Sequence, residues 1–275
     1  NDHEVERYSR HILLPQVGAK GQARLRASNV LVIGAGGLGS PLLLYLAAAG
    51  VGRITIADGD AVDRSNLQRQ IAHGEADIGV NKARSAAQSI AALNPDCRVE
   101  VVEARFDINN AAELLAGRDL VLDGSDNFST RYLVNDAAFL NQVPLISASV
   151  FRFEGQLATF TFAPNTPCYR CVFPEPPPAG SVPSCAEAGV LGAVVGTLGT
   201  MQASEAILTL AGVREPRVGS LIRYDALAMR LDSFEVEHNP ECKLCGGAPV
   251  IVALEQTNDP ACGVADNHLS GVRDV

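Results

Sequence analysis

Short apolar runs alternate with helix-length segments through the first half of the chain. Five runs are continuous and rich in Val, Ile and Leu, as is typical of strands buried on both faces, and they span 29–33, 53–57, 99–102, 119–123 and 143–147. The segments between them predict helices over 38–49, about 79–94, 111–116 and 127–141. This alternation predicts a doubly wound parallel sheet, preceded by helical turns over 5–27.

The pattern changes after the fifth run. Residues 156–162 alternate between apolar and polar, which predicts an antiparallel strand with one exposed face. An apolar helix over 189–212 and two further strands near 219–224 and 231–236 follow. The predicted fold is therefore α/β, with a Rossmann-like doubly wound, mostly parallel sheet extended by antiparallel strands in the C-terminal half.

Composition narrows the class of protein. The 275 residues suit one large domain, and a net charge of −9 with 5% aromatic residues and no Trp argues against nucleic-acid binding. The longest uncharged apolar stretch, 188–204, is too short to span a membrane, and no secretion signal is visible. We therefore expect a cytoplasmic protein that binds neither nucleic acid nor membrane.

A glycine-rich turn joins the first strand to the helix after it. The motif has the G-x-G-x-x-G spacing, and its glycines are Gly34, Gly36, Gly37 and Gly39. Such a turn allows close backbone approach and offers free N–H groups to phosphate. Asp58 ends the second strand, where an acidic side chain meets ribose hydroxyls. Taken alone, this combination favours NAD.

Charged residues beyond Asp58 favour a triphosphate instead. Two Arg, an amide and a Lys follow Asp58 and suit the charge of three phosphates, although each could also belong to a solvated loop; they are Arg64, Asn66, Arg69 and Lys82. Asp126 and Asn127 follow the fourth strand, so Asp126 would hold Mg²⁺ against phosphate oxygens. The alternative for Asp126 is the N-cap of the helix that starts near Asn127.

Two CxxC pairs supply four thiols. They are Cys168-Tyr-Arg-Cys171 and Cys242-Lys-Leu-Cys245, the ligand set of a closed tetrahedral zinc site with a structural role. Redox or disulfide chemistry is the rival interpretation. Zinc thiolates are typical of a reducing compartment, which again favours the cytoplasm.

These motifs occur in an order that resembles a known family. Arg7-Tyr-Ser-Arg10-His-Ile, the glycine turn, Asp58-Gly-Asp60, Ser65-Asn-Leu-Gln-Arg69-Gln70, Asp123-Gly-Ser-Asp126-Asn127 and the CxxC pairs together resemble the MoeB/ThiF adenylyltransferases, bacterial relatives of the ubiquitin-activating enzymes. The resemblance runs from about residue 4 to 247. It implies a homodimer that uses ATP and Mg²⁺ to adenylate the C-terminal Gly-Gly carboxylate of a ubiquitin-like sulfur carrier, and it also implies zinc.

The resemblance assigns roles to individual residues. It implies that Gly37 contacts the phosphates and Asp58 the ribose, while Asp126 binds Mg²⁺. The polyphosphate would be held by Asn66, Arg69 and Lys82. Arg10 would reach the γ-phosphate in the partner subunit's site.

Cys185 ends a Pro-rich stretch, 174–183, that predicts a surface loop. In several relatives of the family a cysteine at this place accepts the carrier or sulfur covalently, and the alternative is a bystander thiol. Cys97 and Cys262 are interpreted as bystanders. None of the five His, including His73 in polar sequence surroundings, has a partner spacing that indicates catalysis.

The predicted function is ATP-dependent adenylation of a sulfur carrier, with a desulfurase or rhodanese-type protein as sulfur donor. An NAD-dependent oxidoreductase and a non-catalytic carrier-docking module are the alternatives. We expect residues 1–247 to form one adenylation domain, with a nucleotide-binding half (1–150), a carrier-binding and zinc half (151–247), and a tail or truncated linker over 248–275. The pathway stays open between molybdopterin, thiamine, cysteine and tRNA thiolation.

Overall fold

The computed structural model describes residues 2–178, 181 and 188–254. Within these residues the strands form a single eight-stranded sheet. They are β1 Asn29–Ile33, β2 Arg53–Ala57, β3 Arg98–Val102, β4 Leu120–Asp123, β5 Leu145–Phe151, β6 Glu154–Phe160, β7 Ser220–Asp225 and β8 Arg230–Glu235. The helices are α1 Asp2–Arg7, α2 Ser9–Ile12, α3 Gly18–Ala27, α4 Gly39–Ala49, α5 Lys82–Leu93, α6 Ala111–Leu115, α7 Phe128–Leu140, α8 Tyr169–Val172 and α9 Gly192–Leu210.

The strand order is β3-β2-β1-β4-β5-β6-β7-β8. The first five strands in this order are parallel, and β6, β7 and β8 continue the sheet antiparallel. The predicted fold class is confirmed. Strand order reverses between β1 and β4, and such a switch point opens a ligand-binding crevice at the carboxyl ends of the strands.

Two hydrophobic layers cover the sheet, one on each face. Val30 and Val32 of β1 belong to the layer built with α3, α4, α5 and α9, whereas Leu31 and Ile33 belong to the layer built with α6 and α7. Successive side chains of a strand point to opposite faces of the sheet. Because both faces are covered, the odd and the even positions of each strand must both be apolar. This double coverage explains the continuous apolar runs in the sequence.

Several boundaries differ from the predicted ones. The fifth strand starts two residues later than expected and runs to Phe151, because it pairs antiparallel with β6 through a tight turn. Arg152 in that turn takes a left-handed φ of 55°. The apolar helix starts at Gly192 rather than 189, and among the described residues no helix has the length and apolar character needed to cross a bilayer.

Gly39 shows how tightly the glycine turn packs. A Cβ atom on this residue would lie 2.0 Å from the carbonyl oxygen of Gly34, which is backbone and cannot move aside. Gly196, inside α9, has nothing within 4 Å of the same position. The two glycines therefore offer a matched comparison within helices that flank the same crevice.

We expect Gly39→Ala to lower the free energy of unfolding by about 2 kcal/mol or more, because the added methyl group overpacks a backbone contact. Gly196→Ala should instead raise it by about 0.5–1 kcal/mol, since alanine loses less entropy in a helix. Chemical denaturation measures both. Equal effects of the two substitutions would contradict this account of the turn.

Candidate active site

A cavity of about 820 Å³ opens at the carboxyl ends of β1, β2 and β4. Its volume is within the range of small-molecule and cofactor sites. Most of the predicted nucleotide-site residues line it, namely Gly34, Gly36, Gly37, Asp58, Arg69, Lys82, Asp126 and Asn127. Gly39, Arg64 and Asn66 are predicted site residues outside this lining, and Arg64 instead lies 3.1 Å from Glu75 at the surface.

Asp58 fastens the glycine turn to the end of β2. Its Oδ2 accepts a hydrogen bond from the Ala35 N–H at 2.8 Å, and its Oδ1 accepts one from the Asp60 N–H at 2.8 Å. Burial raises the pKa of Asp58 and outweighs the two backbone hydrogen bonds, which lower it. Gly34 starts the turn with a φ of +89°, which glycine adopts without strain.

Two cations, Lys82 and Arg105, lie beside Asp60 at the edge of the cavity. Lys82 Nζ lies 3.2 Å from Asp60 Oδ2, and Arg105 Nη2 lies 3.1 Å from Oδ1. Burial opposes the ionisation of Asp60, but the two cations outweigh it and lower its pKa. Arg105 lines the cavity and was not predicted, because the irregular segment after β3 carries no motif.

Arg69 is held by its own loop. Its Nη2 donates to Asn66 Oδ1 at 3.1 Å, and its Nη1 donates to the Ser65 carbonyl at 3.2 Å. Asn66 Oδ1 also accepts from Gln70 Nε2 at 3.0 Å. Asn66 thus orients two lining side chains, and Arg69 is half-buried at the cavity rather than solvated.

Asn127, and not Asp126, caps helix α7. The Asn127 Oδ1 accepts from the Thr130 N–H at 2.8 Å, as an N-cap does. The N-cap interpretation of Asp126 is therefore wrong. Asp126 is exposed at the cavity and makes no side-chain hydrogen bond within the described part of the chain, so its carboxylate is available to a cation.

Three buried polar atoms of the cavity lining have no hydrogen-bond partner among the described residues. They are Gln70 Oε1, Ser125 Oγ and Arg131 Nε. Buried polar atoms are rarely left unpaired, so a polar ligand suits this space. Arg131 also lies 3.8 Å from the buried Asp123 carboxylate. Arg131 was not predicted from the sequence, where its one distinguishing feature is a position one helical turn after the cap residue Asn127.

The four cysteines of the CxxC pairs form one cluster. Four of the Sγ–Sγ distances are 4.0 Å (Cys168–Cys171), 3.6 Å (Cys168–Cys242), 3.3 Å (Cys171–Cys245) and 3.4 Å (Cys168–Cys245). A zinc ion with Zn–S bonds of about 2.3 Å would require sulfur separations of about 3.8 Å, whereas a disulfide requires about 2.05 Å. The cluster therefore fits a tetrahedral ion and not a disulfide.

The surroundings of the cluster suit thiolates. The Asn239 N–H lies 3.4 Å from Cys171 Sγ, and hydrogen bonds among the thiols lower the pKa of Cys171 while they raise that of Cys168. Opposite shifts of this kind arise when one thiol ionises and its neighbours donate to it. The cluster joins the start of α8 to the turn over 242–245.

A family model described as the ThiF family matches residues 8–244. The chain belongs to the ThiF family. Among its relatives, the SAMP-activating enzyme E1 of Haloferax volcanii is 50% identical over 243 residues, covering 88% of this chain and 89% of that protein. A sulfur carrier protein adenylyltransferase of Thermus thermophilus is 48% identical over 250 residues, covering 90% and 92%.

Other relatives are longer than this ThiF-family chain. The adenylyltransferase and sulfurtransferase MOCS3 of Mus musculus is 47% identical over 261 residues, which cover 94% of this chain but 56% of MOCS3. Among solved structures, that of Escherichia coli MccB with ATP has a TM-score of 0.75 at 22% identity, over 87% of this chain and 74% of MccB. At that identity the likeness concerns the fold.

The remaining predicted residues lie away from the cavity or outside the described residues. Arg10 is exposed on α2 and does not line the cavity, so its role in a partner subunit's site stays a prediction. Cys185 and Cys262 fall outside the described residues. Cys97 is buried, which raises its pKa to about 11 and disfavours the nucleophilic thiolate. His73 is buried as well, which its polar sequence surroundings did not indicate.

We expect Asn127→Ala to destabilise the fold by about 1 kcal/mol through loss of the helix cap, with Asn127→Asp close to wild type because it keeps an oxygen acceptor. Asp126→Ala should change stability by less than about 0.5 kcal/mol, as exposed substitutions usually do. Thermal unfolding of the three variants tests this. A larger loss for Asp126→Ala would show that its carboxylate is structural.

Proposed function

We propose that this ThiF-family chain adenylates the C-terminal Gly-Gly carboxylate of a ubiquitin-like sulfur-carrier protein with Mg²⁺-ATP. The names of its relatives support this substrate, since one is a sulfur carrier protein adenylyltransferase and another a SAMP-activating enzyme E1. Residues 1–247 would act as one adenylation domain, with the nucleotide in the first half and the carrier in the second.

The observation that carries the proposal is the convergence of four segments on one cavity. The glycine turn, the cations Arg69 and Lys82, and the Asp126 carboxylate all line the same space. Hydride transfer to or from NAD needs neither the cations nor a carboxylate opposite them, which disfavours an oxidoreductase. Arg69, Lys82 and Asp126, to which the family resemblance gives roles at ATP and Mg²⁺, are all present at the cavity, which disfavours a non-catalytic docking module.

The residues fit an in-line displacement at the α-phosphorus. A carboxylate oxygen of the carrier attacks this atom, the new C–O–P link forms, and the bond to the bridging oxygen breaks. Pyrophosphate leaves with the electron pair of that bond, and Arg69 and Lys82 would hold its charge. No general base is required, because the carboxylate nucleophile is ionised at neutral pH. Positioning and charge neutralisation are the protein's contribution.

Bound groups and partners complete the proposal. Mg²⁺ held by Asp126 would neutralise phosphate charge, and zinc in the cysteine cluster would tie α8 to the 242–245 turn. Arg10 would reach the γ-phosphate in the other subunit of a homodimer.

Cys185 would act after adenylation, in transfer of sulfur from a desulfurase or rhodanese-type donor. We also propose that the protein works in the cytoplasm, on the molybdopterin pathway or a related one.

ATP–pyrophosphate exchange that depends on a Gly-Gly carrier tests the reaction. We expect Asp126→Ala to reduce exchange at least about 100-fold through loss of charge stabilisation in the displacement. Asp96→Ala is the matched control, because Asp96 is an exposed acid in the turn between α5 and β3, remote from the cavity lining. Cys185→Ala should retain exchange, since its proposed step comes later.

Exchange should require the intact carrier and disappear when its terminal Gly-Gly is removed. Activity with NAD and a small substrate, or exchange unaffected by Asp126→Ala, would refute the proposed function. A panel of carriers in the same assay would also identify the pathway.

Zinc analysis tests the cysteine cluster separately. We expect about one zinc per chain by elemental analysis, and loss of most of it in Cys171→Ser, with a fall of several degrees in the unfolding midpoint. Cys97→Ala removes a buried thiol outside the cluster and should retain the metal. Zinc-free protein with an unchanged unfolding midpoint would contradict a structural zinc site.

A further inference from the structure

His73 is buried beside the nucleotide cavity and uses both ring nitrogens. Its Nε2 lies 2.9 Å from the carbonyl oxygen of Ala35, in the glycine turn, and its Nδ1 lies 2.8 Å from Ser85 Oγ, in helix α5. The Ser40 hydroxyl is 3.5 Å from the same Ala35 oxygen, at the limit of hydrogen bonding. His73 therefore supplies the shorter bond to this carbonyl.

The partners determine the tautomer of the ring. A carbonyl oxygen can only accept, so Nε2 must carry the proton and donate to Ala35. In the neutral ring Nδ1 is then an acceptor, and the Ser85 hydroxyl donates to it. Burial lowers the pKa of His73, which favours this neutral form at physiological pH.

His73 joins three segments that hold charged or phosphate-facing groups. It belongs to the segment that carries Arg69, it contacts the turn at Ala35, and it contacts α5 at Ser85, one helical turn after Lys82. The N–H of Ala35 is already held by Asp58. Because His73 holds the Ala35 carbonyl as well, both backbone polar groups of Ala35 are fixed.

We infer that His73 is a positioning residue of the nucleotide site, a neutral imidazole that fixes the glycine turn so that its N–H groups meet phosphate. This inference rests on the proposed function, because it takes the ligand to be ATP. His73 does not itself line the cavity and contacts the turn at Ala35, so it acts through Ala35 and not on the ligand.

The test compares a ligand that has phosphates with one that lacks them. We expect His73→Leu to weaken ATP binding about 3- to 10-fold, the effect of one hydrogen bond, and to leave adenosine binding unchanged. Titration calorimetry measures ATP, and competition against ATP measures adenosine. His73→Gln places an amide donor near the Ala35 carbonyl and should restore ATP affinity to within about twofold of wild type.

Ser89→Ala is the matched structural control. The Ser89 hydroxyl donates to the Ala72 carbonyl and so fastens the same segment to the same helix without contact to the glycine turn. The Ser89→Ala substitution should lower the unfolding midpoint and leave the ATP-to-adenosine affinity ratio unchanged. Ser85→Ala removes only the partner of Nδ1 and should reduce ATP affinity about twofold, a milder test if His73→Leu folds poorly.

Three results would overturn the inference. These are equal losses for ATP and adenosine in His73→Leu, no recovery in His73→Gln, or a Ser89→Ala effect on the ratio as large as that of His73→Leu. If the wild-type chain bound no ATP at all, the proposed function would fail as well. Binding by wild type with no selective effect of His73 would refute the positioning role alone.

Discussion

Close backbone contact at the end of β1 is the constraint on which the candidate site depends. A Cβ at Gly34 would lie 3.0 Å from the Gly124 carbonyl oxygen at the end of β4, and one at Gly37 would lie 2.7 Å from Val195 in α9. Side chains at these positions would push apart the two strand ends and the helix. Because the space is left to backbone, the turn packs against the end of β4 and α9 and lines the cavity at the switch point of the sheet.

Most of the cationic side chains that line the cavity are held in place by contacts within the protein. Lys82 and Arg105 share Asp60, Arg69 is oriented by Asn66, and Asp123 lies beside the buried Arg131. Donors fixed in this way do not have to reorganise when charge develops, which is how preorganised sites lower a barrier. Unpaired polar atoms in the lining leave hydrogen-bonding capacity that suits a polar ligand.

The C-terminal half takes part in building the nucleotide cavity. The start of α9 lies against the arginine-bearing loop, since a Cβ at Gly192 would be 2.4 Å from the Gln68 carbonyl oxygen, and Val195 and Val190 line the cavity. Antiparallel strands β6 to β8 extend the same sheet, and the cysteine cluster brings together the segment after β6 and the segment after β8. Nucleotide-binding and cysteine-bearing parts are therefore joined through common packing.

The sequence alone determined the features that neighbouring residues control. Continuous apolar runs and the glycine spacing predicted the parallel strands and the turn, because periodicity and backbone freedom are local properties. The two CxxC pairs predicted the four-cysteine cluster, because together they supply a complete set of four thiol ligands. Only the tertiary structure decided which side chains meet. It assigned the helix cap to Asn127 instead of Asp126, it brought Arg105 and Arg131 to the cavity, and it buried His73 against the glycine turn. Hydrogen-bond partners far apart in sequence depend on which strand ends converge, and no local pattern encodes that.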